Sequence, residues 1–179
     1  VMRAHAESVR KKGKGGDGLA SVERAQKVTS LLDWMEMLSA RDRIKPTTES
    51  YRIALTAWVW SHQVDAPKEA ERILYRMIRV YDMNNNATST GSSATKAKKP
   101  VVRPDTRDFN TLINCCSFAR TVGVGVDKRE ESDEELLQRQ IAHREIYNIA
   151  KGAFNTLMST KYAKPDSASF AGIIRACVN

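Results

Sequence analysis

The residue types most capable of chemistry are the three cysteines and three histidines, and their spacing assigns them none. Cys115 and Cys116 are adjacent, so on a helix they diverge by about 100°. They lack the C-x2–4-C spacing of a zinc site. An odd cysteine count gives no disulfide framework and fits a reducing compartment. His5, His62 and His143 are isolated, with no H-x3-H or HExxH pair. The VGVGV run at 122–126 has neither G-x-G-x-x-G nor GK[ST], so it is no phosphate cradle. The acidic run Glu130–Glu135 lacks the D-x-D-x-D-G turn of a calcium loop and reads as helix-start charge. Neither catalysis nor a metal, cofactor or small-molecule substrate is expected.

Two further groups are available for binding. Trp58 and Trp60 are types on which bases stack. Trp58 lies on an apolar helical face and is expected in the core. Trp60, turned about 200° from it, is expected at a seam between repeats. Met35, Met77 and Met158 recur at helical spacing and are expected in the core. Lys and Arg exceed Asp and Glu by 29 − 21 = 8. That excess is local: residues 1–16 and 94–107 each carry five bases against one acid, and the rest of the chain balances. Each basic segment reads either as an RNA contact or as a solvated loop. No apolar stretch approaches the ~18 residues of a bilayer span, so no membrane partner is expected. Residues 1–16 lack the apolar region of a secretory signal, and no transit peptide is visible. The chain starts at Val1 and ends at Asn179 inside an apolar pattern, which predicts a fragment of something longer.

The elements that must position any site follow from a repeat. KPTTESYRIALTAW (45–58), RPDTRDFNTLINCC (103–116) and KPDSASFAGIIRAC (164–177) align without gaps. Each has a base, then Pro46, Pro104 or Pro165, then Tyr51, Phe109 or Phe170 five residues later. Apolar residues recur at +3, +4 and +7 from the aromatic, which is one face of a helix. Proline separates the elements, and the following Thr or Asp caps the new helix. Between these starts lie helices of a second kind. Residues 66–83 carry Ala70, Ile73, Leu74, Met77, Ile78 and Tyr81, with Asp65 as N-cap and Pro67 in the first turn. Residues 133–159 open on a Ser132–Glu135 capping box, and their apolar series runs through Leu137, Ile141, Ile149, Ala153, Phe154, Leu157 and Met158. Residues 22–40 give a third, and 2–12 a remnant. No segment alternates with period two for long, so the expected class is all-α. One amphipathic hairpin cannot hide its apolar face but stacked hairpins can, so the expected architecture is an α-solenoid of helix-turn-helix hairpins. Residues 84–102, rich in Asn, Ser and Thr, read as a disordered insertion. Residues 121–132 read as a second loop.

These segments resemble the pentatricopeptide repeat family. The resemblance rests on an aromatic-led first helix (SYRIALTAW, DFNTLINCC, SFAGIIRAC), a second helix such as EAERILYRM (69–77) or FNTLM (154–158), and a K/R-P-D close. It implies a single repeat array over 1–179. A partial repeat spans 1–47. Full units span 48–105, with the 84–102 insertion, and 106–166, with the 121–132 insertion and an extended second helix. A further unit starts at 167–179. The two full units run well beyond the family's length of about 35 residues, and the insertions absorb the surplus. The resemblance also implies single-stranded RNA as partner, one base per repeat, other RNA-processing proteins as companions, and a mitochondrial or plastid setting in RNA processing, stability or translation. The base-selecting residues carried over are Asn110 with Asp166, a pair associated with uracil, and Arg52 with Asp105. For Arg52, a phosphate bond, stacking on a base and an ion pair with Asp105 stay open. Ala171 gives the last unit no polar selector. Arg107, Lys45 and Lys164 are the accompanying phosphate or stacking residues. Glu49, Arg107 and Ala168 stand where the family has an aliphatic residue, which is a departure from its pattern. The rival expectation is a helical scaffold that binds protein.

Overall fold

A computed structural model describes residues 18–39, 44–89, 102–119 and 132–178. They form six helices and no strand. These are α1 (Gly18–Ser39), α2 (Thr48–Val59), α3 (Ala66–Ser89), α4 (Thr106–Phe118), α5 (Asp133–Ser159) and α6 (Ser167–Val178). No helix is long and apolar enough to cross a membrane among the described residues. Residues 2–12, the expected remnant helix, and 121–131, most of the expected second insertion, lie outside the described residues.

Each of the three aromatic-led helices starts for the same local reason. Proline precedes a residue whose side-chain oxygen takes a backbone N–H of the first turn, and the residue three positions on returns the bond. Thr47 and Ser50 make this box at α2 and Asp105 and Asp108 at α4. At α6, Ser169 N donates to Asp166 Oδ1 at 2.9 Å and Asp166 N to Ser169 Oγ at 3.1 Å. Such boxes satisfy donors that the first turn would otherwise leave open. The expected Ser132–Glu135 box opens α5. Asp65 precedes α3, where its carbonyl takes the Glu69 N–H at 3.1 Å.

Every helix packs on its chain neighbours. Beyond these, α2 packs on α4, α4 on α6 and α3 on α5. The core between them is built from Tyr51, Leu55, Ile73, Leu74, Met77, Phe109, Leu112, Ile113 and Leu157, each at most 1 % exposed. Polar ties cross it. Tyr51 donates to Glu36 at 2.7 Å, and Arg76 pairs with Glu36 at 2.7 Å and Asp33 at 2.6 Å, joining α1, α2 and α3. Trp58 is buried as expected, and its indole N–H reaches Thr29 Oγ1 at 2.9 Å. Trp58→Phe deletes that bond and part of the ring, so it should cost about 1–2 kcal/mol in a urea melt.

Four expectations are corrected. The helix expected to stop at residue 83 continues through 84–89. No glycine or proline interrupts Asn84–Ser89, and extending a formed helix costs far less than starting one. Nor is the insertion's last residue free of the fold: Val102 lies in a loop but is buried in the core. Residues 90–101 lie outside the described residues. Third, Leu137, Ile141 and Met158 are about half exposed rather than buried. At about 100° per residue they fall off the stripe formed by Ile146, Ile149, Ala150, Ala153 and Leu157. Fourth, Phe170, Ile174 and Cys177 are exposed although they share register with buried residues of α2 and α4. Phe170 meets Phe154 edge-on at 5.2 Å, and no described helix lies over the far side of α6.

Candidate functional site

The N-termini of α4 and α6 each meet the preceding aromatic-led helix through one polar residue. On α2 this is Arg52, one residue past Tyr51. Its Nε donates to Asp108 Oδ1 at 2.7 Å, and its Nη2 reaches Asp105 Oδ2 at 2.6 Å and Asp108 Oδ2 at 3.2 Å. On α4 it is Asn110, one residue past Phe109. Its Nδ2 donates to Asp166 Oδ1 at 3.0 Å, and its Oδ1 lies 2.6 Å from the Ser169 hydroxyl. The two junctions are built alike: the residue after the buried aromatic reaches the capping pair of the next helix. The linkers repeat as well. Thr48 Oγ1 accepts from Arg103 N at 2.9 Å, and Thr106 Oγ1 donates to the Lys164 carbonyl at 2.7 Å.

The electrostatics of the two junctions differ. Asp108 is 2 % exposed and Arg52 31 %. Burial pushes the Asp108 carboxyl above the usual range, and this outweighs the lowering by Arg52 and by the Asp105 N–H. The bond to Asp108 holds the Arg52 guanidinium firmly protonated. At the second junction the Asn110 amide, followed by the Ser169 N–H and hydroxyl, lowers the Asp166 carboxyl. A cleft of about 210 Å³ opens between α2 and α4, lined by Glu49, Arg52, Leu55, Thr56, Arg107, Asp108 and Thr111. It offers two guanidinium side chains, hydroxyls and carboxylates beside Leu55. Arg52 Nη1 is engaged by none of the bonds to Asp105 and Asp108.

The structure therefore brings together both carried-over pairs, Arg52 with Asp105 and Asn110 with Asp166. Of the alternatives open for Arg52, the ion pair with Asp105 is formed. Asn110 is only 9 % exposed, so its amide faces the junction rather than an open groove. Arg107 is exposed at the cleft, whereas Lys45 and Lys164 are exposed at the linkers. Sequence reasoning missed Asp108 and Ser169. The signal lies in the spacing: each stands three residues after an N-cap, as Glu135 does after Ser132. Cys115 and Cys116 are buried, and burial pushes the Cys116 thiol up to about 12. Such a thiol is a poor nucleophile at neutral pH. No cluster of three or more His, Cys, Asp or Glu able to hold a metal occurs among the described residues. Comparison with protein-family models, with curated proteins and with solved structures finds no match.

Proposed function

We propose that the chain is a stretch of α-solenoid of pentatricopeptide repeat type that binds single-stranded RNA with base preference, as a non-enzymatic element of organellar RNA processing, stability or translation. In this reading α2, α4 and α6 are the first helices of successive hairpins and line the RNA face, while α1, α3 and α5 back them. The packing of α2 on α4, of α4 on α6 and of α3 on α5 supports it. The observation that carries it is the pair of junctions. Arg52 meets Asp105 and Asn110 meets Asp166, pairs far apart in the chain that the resemblance names as base-selecting. A second reading, a scaffold for protein partners, draws support from the burial of Asn110 and from the ion pairs that already occupy Arg52.

A titration against RNAs varied one base at a time separates the two. Asn110→Ala removes one base-reading group and the brace on Asp166. It should cost up to about tenfold in affinity, concentrated on RNAs with uracil at one position. Arg107→Ala should weaken all sequences alike and reduce the salt slope by about one unit, as expected of a phosphate contact. RNA affinities indifferent to both changes would favour the scaffold.

A further inference from the structure

The N-terminal half of α5 carries an apolar seam that is exposed and that no described helix covers. Taking Ile146 as zero, the buried residues Ile149, Ala150, Ala153 and Leu157 fall within about 60° of it at about 100° per residue. Glu134, Leu137, Ile141 and Arg144 fall at about 160–240°, on the opposite side of the same helix. All four are exposed, Leu137 at 55 % and Ile141 at 46 %. Their spacing of three, four and three residues is that of a two-helix coiled-coil seam. Neither Glu134 nor Arg144 has an ion-pair partner among the described residues.

The order acid, Leu, Ile, base is complementary to itself when reversed. Laying a second α5 antiparallel, with Leu137 opposite Ile141, places Glu134 opposite Arg144 at both ends. A two-fold contact needs a patch that matches itself in this way. We propose that this face of α5 is a self-association surface whose occupant is the same face of a second copy of the chain. The apolar centre is Leu137 and Ile141 from each copy, and the two Glu134–Arg144 pairs set direction and register. The patch is about three helical turns long and falls short of the roughly 1,200 Å² of a stable interface. The dimer is therefore weak and reversible, and it couples two copies without touching the α2–α4 and α4–α6 junctions.

Sedimentation of the full chain from about 10 µM to about 1 mM tests this. The weight-average mass should climb from 20.1 kDa toward twice that value. Ile141→Glu, an exposed position, should leave the helical CD signal unchanged and weaken association at least about tenfold. Glu134→Arg or Arg144→Glu alone sets like charges against each other twice and should weaken association about three- to tenfold. The double variant Glu134→Arg/Arg144→Glu restores the opposition and should return to within about twofold of the parent. A mass fixed at 20.1 kDa across the range overturns the proposal. So does association indifferent to Ile141→Glu, or a double reversal no better than either single one.

Discussion

Arg52→Ala should lower the thermal midpoint by about 5–12 °C, or about 2–4 kcal/mol for a chain of this size. The reason is what the substitution leaves behind. Asp108 is a carboxylate at 2 % exposure, and its one counter-charge among the described residues is Arg52. Breaking a buried pair by removing one member costs about 3–5 kcal/mol. The lower figure here allows for the 31 % exposure of Arg52 and for the Asp105 N–H, which still donates to Asp108 Oδ2 at 2.8 Å. Two carboxylates, Asp105 and Asp108, would then share one corner without a cation. Arg52→Ala/Asp105→Asn should recover part of the loss, because Asn caps a helix as well as Asp does and removes the repulsion. Arg52→Lys keeps the charge but not the two-pronged geometry, so it should fall between parent and alanine.

The same residue predicts a pH dependence with a definite sign. Asp108 already titrates above the ordinary aspartate range, because burial outweighs its partners. A carboxyl raised in the folded state stabilises the fold while protonated and loses that contribution as pH rises through its folded value. Removing Arg52 removes the foremost lowering influence and pushes Asp108 higher still. The deficit of Arg52→Ala relative to the parent should therefore be largest near pH 7.5 and shrink toward about pH 5, as Asp108 takes up a proton. Urea melts of both proteins at the two pH values give the difference directly. A deficit that is constant or grows toward acid would mean that Asp108 is not the group left stranded.

How legible these features are in the sequence depends on how local they are. Helix starts are decided within four residues by a short polar oxygen and a partner three positions on, with a proline just before them at α2, α4 and α6, and the boundaries at Thr48, Thr106, Asp133 and Ser167 lie within a residue of expectation. The pairs Arg52–Asp105 and Asn110–Asp166 are legible only through the family resemblance, which carries two positions onto each unit of the repeat. The role of Asp108 needed one step more. A charged residue at N3 reads as a solvated helix-start acid until the neighbouring helix is seen to cover it. The end of α3 differs from expectation for the opposite reason. Polar composition suggested a loop, but composition does not stop a helix unless glycine or proline does. In α5 the apolar series looks like one stripe in the sequence, but at about 100° per residue Leu137 and Ile141 fall on the far side of the helix.

Gly172→Val should also be damaging, at about 1–3 kcal/mol, and it reaches the Asn110 junction. Gly172 is buried on α6 where that helix crosses α4. A Cβ there would stand 2.7 Å from Ile113 Cγ2, a branched side chain that is itself fully buried. The Gly172 carbonyl also lies 3.0 Å from the Ser117 hydroxyl, so the backbones are held close by a bond as well as by the missing side chain. Thr111 holds the equivalent register on α4 facing α2, and there the 210 Å³ cleft remains. A glycine thus closes the α4–α6 crossing where a threonine leaves the α2–α4 crossing ajar. Overpacking a filled site costs about 1–3 kcal/mol, and a branched residue cannot swing its methyls out of a helix crossing. Gly172→Ala meets the same clash with one carbon but gains about 1 kcal/mol of helix propensity, so its loss should be smaller. The functional consequence is specific. Pushing α6 outward separates Asp166 and Ser169 from Asn110 while leaving Arg52 on Asp108. In NMR the Asn110 side-chain amide should lose its protection from exchange in Gly172→Val, and the Arg52 guanidinium signals should stay in place. A valine variant as stable as the parent, with an unchanged Asn110 amide, would show that the close approach at Gly172 does not hold the junction together.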